Sequence, residues 1–185
     1  MSADAKLTSV GKPKIGGAIY RAPLGTTLPT DAKTALDAAY KNLGYVSDDG
    51  MTNSKSRETT ELNAWGGDKV RDAQTSKTDT FSLKLIEARN IDVLKAVHGD
   101  DNVTDTNGLI TIRENAKELD RAVWVIDMIM NEGYLKRVVI PKGKITEVGD
   151  VTYKDDELIG YDSTISAYPY AAYENDTHRE FIEEA

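Results

Sequence analysis

The segment that most restricts the fold is residues 53–78, which carries threonines on both sides of Gly66 and Gly67 but no apolar stripe. Glycine reaches the positive φ angles of tight hairpin turns at little steric cost, so the segment predicts two long strands joined there. An isolated two-stranded ribbon is marginal in water, and its exposed edges are templates for pairing with another chain. We therefore expect a hairpin that neighbouring copies of the chain complete; the alternative is a solvated flexible arm.

The candidate contact residues lie along this hairpin. Trp65 stands beside the turn, where an exposed tryptophan is well suited to anchor a protein contact. The residues predicted to form an interface between subunits are Lys55, Arg57, Thr59, Glu61, Trp65, Gly66, Gly67, Lys69 and Arg71.

The composition is that of a globular protein with one domain. The chain has 185 residues, of which 39% are hydrophobic and 29% charged. Its longest apolar runs are too short to span a bilayer, and the first ten residues lack the pattern of a signal peptide. There is no cysteine. This excludes disulfides, thiolate nucleophiles and cysteine-ligated zinc, and it is typical of assembly in a reducing cytoplasm.

The charge is unevenly distributed along the chain. The net charge of −8 argues against tight binding of nucleic acid, which requires clustered cations. Residues 154–185 contain nine acidic and two basic residues, a net charge of −7, whereas residues 1–21 carry +3. These oppositely charged ends could meet head to tail between subunits, or both could simply be solvated.

The pattern of elements predicts a mainly β fold. We count seven to nine strands and two short helices, without a βαβ rhythm, which favours an antiparallel β-sandwich or barrel with a flanking α-helix and a long protruding hairpin. The predicted divisions are a flexible N-terminal arm (residues 1–14), a β domain (15–170) and an acidic C-terminal arm (171–185).

Both helices are predicted from periodicity and caps. In residues 31–42 and the leucine that follows, apolar side chains recur at helical spacing, and Gly44 is placed to end the helix. Asn90 is placed to cap a second helix that runs to His98 and stops at Gly99. Phe81, Leu83 and Leu85 alternate with polar residues, which predicts a strand with one face in the core.

No motif indicates catalysis or a cofactor. His98 and His178 lie outside any nucleophile or metal signature, and paired acids such as Asp48 and Asp49 occur where turns are expected. Residues 103–114 partly match a calcium loop, but Val103 stands where the first carboxylate ligand belongs, so we interpret the segment as a polar turn. An enzyme using acidic pairs is the least favoured class. We expect no catalytic residues, cofactor, metal or small-molecule substrate.

Four sequence segments, in order along the chain, resemble those of a known protein family. They are GGAIYRAPLGTTLPTDAKTALD, YKNLGYVSDDGMTNSKSRETTELNAWGGD, QTSKTDTFSLKLIEARNIDVLKAVHGDDNV and VVIPKGKITEVGDVTYKDDELIGYDSTISAYP. Over about residues 16–169 the chain resembles the major tail tube proteins of long-tailed, non-contractile bacteriophages. The resemblance implies a virion protein that forms stacked hexameric rings, whose inner sheets join into one β-barrel around a DNA channel.

The resemblance also implies partners and a location. The chain would assemble with copies of itself, on a tape-measure protein and with a tail terminator, in the host cytoplasm. Double-stranded DNA would pass through the lumen without specific binding, and no membrane partner is implied. The hairpin's own charges are nearly balanced, so they do not show a strongly acidic lining. The alternative function is a receptor- or glycan-binding β-domain on a virion or cell surface, with Trp65 as a stacking platform.

Overall fold

The computed structural model describes residues 3–185 and confirms a mainly antiparallel β fold with a long protruding hairpin. Among these residues there is one α-helix, α1 (Ile91–His98), and no helix long and apolar enough to cross a membrane. The strands are β1 (Lys12–Pro13), β2 (Ile19–Pro23), β3 (Lys41–Asn42), β4 (Val46–Asn63), β5 (Lys69–Leu85), β6 (Val103–Thr106), β7 (Leu109–Ile112), β8 (Ala122–Ile129), β9 (Tyr134–Val148), β10 (Tyr161–Ala167) and β11 (Arg179–Glu184).

One large sheet organises the molecule, with the strand order β3-β2-β8-β9-β10-β5-β4. Strand β9 is the centre of this sheet. It pairs with β8 along one edge, and β11 and β10 follow one another along its other edge. Lys142 and Gly143, where the glycine by itself predicts a turn between two short strands, lie instead inside β9. The turn predicted at residues 48–50 is likewise an irregularity within β4, where the pairing register shifts between Val46 and Met51.

The main core lies on one face of this sheet. Strands from both ends of the order contribute to the same apolar cluster, with Ile19 from β2, Trp124 from β8 and Phe81 from β5. The sheet therefore wraps around its core in the manner of a partly open barrel. Phe81, Leu83 and Leu85 are all buried, as their alternation predicts.

Helix α1 confirms the second helix prediction. The Asn90 side chain accepts a hydrogen bond from the Asp92 N–H, and Gly99 follows the last helical residue with φ of 99°. Its apolar face, which includes Val93 and Leu94, is buried in the main core. This is the helix that flanks the sheet.

The helix predicted at residues 31–42 is wrong. Except for its last two residues, which form β3, the segment consists of bends and turns. The carbonyl groups of Asp31 and Thr34, which a helix would use internally, instead accept hydrogen bonds of 3.1 and 2.9 Å from the buried guanidinium of Arg137. The Asp31 side chain accepts from the Lys33 and Thr34 N–H groups, which favours a local turn.

This loop nevertheless buries its apolar residues. Tyr40 and Leu36 pack on the second face of the sheet, against Val125 and Val139. The Tyr40 hydroxyl donates to the Thr27 carbonyl at 2.9 Å. The spacing that predicted a helix therefore reports burial, and β8 is covered on both faces as its continuous apolar pattern indicates.

Residues near both ends of the chain pair with the large sheet. Strand β1 pairs with the end of β8, and the Ser9 hydroxyl accepts from the Asn131 N–H at 2.8 Å. Residues 179–184, expected within a C-terminal arm, form β11 on the edge of β9. Glu180 pairs with Lys136 at 2.7 Å, so part of the acidic charge is neutralised within the subunit. The boundaries at residues 14 and 170 stay predictions.

Gly143 gives a first test of this packing. A Cβ built on Gly143 would lie 2.7 Å from Cδ1 of Trp124 and 3.0 Å from Cγ2 of Ile165, both buried. We expect Gly143→Ala to lower the free energy of unfolding by about 1–3 kcal/mol, because overpacking forces neighbours to shift. Urea unfolding followed by tryptophan fluorescence measures it. The control is Gly11→Ala, whose Cβ would meet only Met128 at 3.4 Å; equal stabilities of the two variants would contradict the prediction.

Candidate subunit interface

Strands β4 and β5 confirm the predicted hairpin. The two strands form one antiparallel ladder that runs from the Met51–Leu83 pair to the Asn63–Lys69 pair. The ladder contains two register shifts. The turn is closed by hydrogen bonds from Ala64 N–H to the Asp68 carbonyl (2.8 Å) and from Gly67 N–H to the Ala64 carbonyl (3.0 Å). Gly66 and Gly67 have φ of 116° and 98°, a region that favours glycine.

The hairpin projects beyond the core. None of residues 54–78 is buried. The apolar side chains of the distal part are exposed, with Trp65 fully exposed and Val70 at 69%. No apolar packing within the subunit therefore holds the distal hairpin in place.

Both outer edges of the distal hairpin are open in the described part of the chain. Strand β4 ends the strand order, so only β5 pairs with it. Strand β10 pairs with β5 at Thr80–Leu85, which leaves residues 69–79 without a partner on that side. Each open edge presents backbone N–H and C=O groups that could extend a sheet into a neighbouring subunit.

The candidate residues occupy two faces and the turn. One face carries Lys55, Arg57, Thr59 and Glu61, and Lys69 joins it through contacts from its Nζ to Glu61 (2.7 Å) and Asp72 (2.9 Å). These two acceptors raise the pKa of Lys69. The opposite face carries Arg71, which lies across from Leu62, and the turn contains Trp65, Gly66 and Gly67.

The positive charge is concentrated on one face near the base. Lys55, Arg57 and Lys77 lie on the side of the hairpin that leads into the core, and we call them the basic cluster. They line a cleft together with residues 175–178. Within residues 3–185, none of the three forms an ion pair. The nearly balanced charge of the hairpin sequence therefore conceals an uneven distribution between its faces.

A buried carboxylate fixes the base of the hairpin. Asp79 is 2% exposed and accepts hydrogen bonds from Asn53 Nδ2 (2.9 Å), Thr177 Oγ1 (2.6 Å) and His178 Nδ1 (2.5 Å). The His178 ring also meets Phe81 edge to face at 5.2 Å. Sequence reasoning missed this cluster, although Asp79 lies two residues before Phe81 and so continues its inward-facing series.

The hydrogen bonds determine the ionisation of Asp79. Burial alone would raise the pKa of this carboxyl, but the bonds from Thr177, Asn53 and His178 outweigh burial, and the pKa lies below its ordinary value. A carboxyl with a lowered pKa in the folded state stabilises the fold above its unfolded pKa of about 3.9. That stability is lost as the pH falls through the lower, folded value.

We expect Asp79→Asn to lower the free energy of unfolding by about 1–3 kcal/mol at pH 7, because buried donors lose a charged acceptor. The loss should shrink as the pH falls from about 5 toward and below 3, since the wild type then loses its advantage. Denaturant unfolding at several pH values measures both effects. The exposed Asp156→Asn is the control; a loss that stays constant across this range would contradict the assignment.

The remaining sequence motifs take ordinary structural roles. The calcium-like segment forms the β6-β7 hairpin, in which Asp105 Oδ1 accepts from the Gly108 N–H at 3.0 Å. His98 ends α1, contacts Glu114 and meets the Tyr161 ring edge to face. Across residues 3–185, no group of three or more His, Asp or Glu side chains is placed to hold a metal ion.

Comparison with known proteins agrees with this architecture. A family model described as phage tail tube protein matches residues 12–184, nearly the whole chain. A comparison with curated proteins gives no match. The matched range includes the hairpin, the curved sheet and β11. On the strength of this match, the chain belongs to the phage tail tube protein family and is a structural component of the virion tail.

Proposed function

We propose that the chain assembles into closed hexameric rings, and that the rings stack into the tube that delivers double-stranded DNA to the host. The observation that carries this proposal is the β4-β5 hairpin, which has two open edges and no apolar packing of its own. Family membership supports a structural and not a catalytic role.

The open edges are suited to a ring. The edge of β4 and the edge of β5 are different surfaces, so pairing one with the other is head to tail and generates a ring if the rotation closes. Closure removes every free edge and turns the separate hairpins into one barrel. The number of six subunits comes from the resemblance described above.

The remaining partners follow from the same proposal. The tube would form on a tape-measure protein, end at a tail terminator and be assembled in the host cytoplasm before it becomes part of the virion. DNA would pass through the lumen without specific binding. A wall that neutralised many phosphates would hold DNA and slow its transit.

Contacts between rings are proposed to join the oppositely charged ends. In the basic segment, Arg21 already forms a two-bond pair with Asp100 and Lys14 lies 3.6 Å from Asp127. The complementary charge would thus come mainly from Lys6 and Lys12 and from the exposed acids at residues 155–156.

Electron microscopy of the purified protein tests the proposal. We expect hollow rings or stacked tubes, and no measurable affinity for duplex DNA at physiological salt. A persistent monomer that binds duplex DNA tightly would contradict the proposed function. A stable monomer that binds glycans on an array would instead support the recognition domain considered above.

A further inference from the structure

A hydroxyl-rich surface covers the outer face of the sheet at the base of the hairpin. Two rows of side chains cross β4, β5 and β10 there: Ser54, Thr80 and Ser166 in one row, and Thr52, Ser82 and Thr164 in the next. We call these six residues the hydroxyl face. All of them are exposed or half-buried, and they alternate along the strands with core residues such as Phe81, Leu83 and Ile165.

The six side chains of the hydroxyl face are uncharged, and three of them already form hydrogen bonds with neighbouring hydroxyl groups. Ser82 Oγ lies 3.1 Å from Thr164 Oγ1, and Ser166 Oγ lies 2.8 Å from Thr146 Oγ1. Hydroxyl groups hydrate well because each can donate and accept hydrogen bonds, yet they carry no charge that could neutralise a phosphate.

The cations beside the hydroxyl face are compensated. Lys84 and Lys144 continue the same face, and each contacts a glutamate, Glu157 at 3.2 Å in the first case and Glu118 in the second. The unpaired basic cluster, by contrast, lies on the opposite side of the hairpin. Among the described residues, the hydroxyl face therefore presents no unpaired cation to a polyanion, whereas the opposite side presents the three cations of the basic cluster.

We propose that the hydroxyl face is the channel wall that meets DNA, and that its uncharged, hydrated surface lets the duplex slide. This inference rests on the proposed function, because it requires the hairpin sheets to close into a tube. One face of the β10-β5-β4 part of the sheet packs against the core, so only its other face is open to a lumen. The basic cluster then faces away from the DNA.

Single cysteines test the orientation, because the chain has none of its own. We would compare Ser54→Cys and Ser82→Cys with Ala35→Cys, which lies exposed in the loop that covers β8 and β9, toward the β3 end of the strand order. Each is treated with a small maleimide and with a maleimide on a carrier too large to enter the tube. In dissociated subunits, all three should react with both reagents.

In assembled tubes, we expect cysteines at positions 54 and 82 to react with the small reagent but at least tenfold more slowly with the carrier. The cysteine at position 35 should show no such discrimination. Tubes in which position 82 reacts with the carrier as fast as in free subunits would overturn the orientation while leaving tube assembly intact. The absence of any tube would overturn both proposals.

Retention of a duplex oligonucleotide tests whether the lack of charge on the hydroxyl face keeps DNA mobile. Tubes of the double variant Ser54→Lys and Ser82→Lys should retain a duplex oligonucleotide at low salt and release it as salt increases, since the added cations displace counterions. Tubes that carry Ala35→Lys should retain no more DNA than the wild type. Equal retention by the wild type and the double variant would overturn the inference that neutrality keeps DNA mobile.

Discussion

A chain in which residues 57–77 are replaced by an Asn-Gly turn is expected to fold into a monomer that forms no rings. Ser56 and Thr78 lie opposite each other, so a two-residue turn can join them. The deleted residues include no buried one, and their deletion removes most of both open edges. We expect the melting temperature to change by less than about 4 °C, because little packing is lost. Size-exclusion chromatography, calorimetry and electron microscopy measure the result.

A point variant separates backbone pairing from side-chain anchoring at the same hairpin. Trp65→Ser removes the fully exposed tip residue but leaves both edges in place. If Trp65 is an anchor worth about 2 kcal/mol, the variant should need roughly 30-fold more protein to assemble, yet still form rings. Rings formed by the shortened chain at any concentration would rule out the open edges as the main assembly contact.

The second large effect is expected from Arg137→Met. The Arg137 side chain is 1% exposed and makes bonds of 2.6 and 2.9 Å to Asp127, as well as those to the two carbonyl groups of the covering loop. Its removal leaves the Asp127 carboxylate buried without its main partner, which typically costs about 3–5 kcal/mol. We expect a correspondingly lower free energy of unfolding in urea.

Two further variants identify the cause of that loss. Arg57→Met changes an exposed arginine on the hairpin and should alter stability by less than about 0.5 kcal/mol. The double variant Asp127→Leu and Arg137→Met also removes the buried carboxylate that Arg137→Met leaves unpaired. It should therefore be more stable than Arg137→Met alone. A double variant that is no more stable than the single one would show that the lost loop contacts, rather than the unpaired carboxylate, dominate.

The helix predictions show which sequence signals were sufficient. Helix α1 was predictable because its cap, apolar spacing and stop residue all agree at Asn90, Ile91 and Gly99. Residues 31–42 carried a similar apolar spacing but form a loop, because Arg137, over 100 residues away in sequence, takes up the carbonyl groups that a helix needs. No local pattern could reveal that competition.

The hairpin shows the same division between local and distant information. Its strands, turn and lack of an apolar face were readable from residues 53–78, since alternation and glycine are local signals. The pairing of charges across the two strands was not readable, because β5 has an extra residue opposite Glu58–Thr59 and another opposite Leu62–Asn63, and each changes which β5 side chains share a face with β4. The Asp79 cluster also required residues 177–178 to arrive from the far end of the chain.

The sequence by itself determined that this protein is mainly β, that a polar hairpin lacks partners within its own subunit, and which family the chain resembles. Only the tertiary structure decided that β11 closes the edge of β9, that a loop covers the second face of the sheet, and that the basic cluster and the hydroxyl face lie on opposite sides. The physical reason is that backbone preferences and periodicity act over a few residues. Strand register, buried ion pairs and the choice of face depend on contacts between residues far apart in the chain.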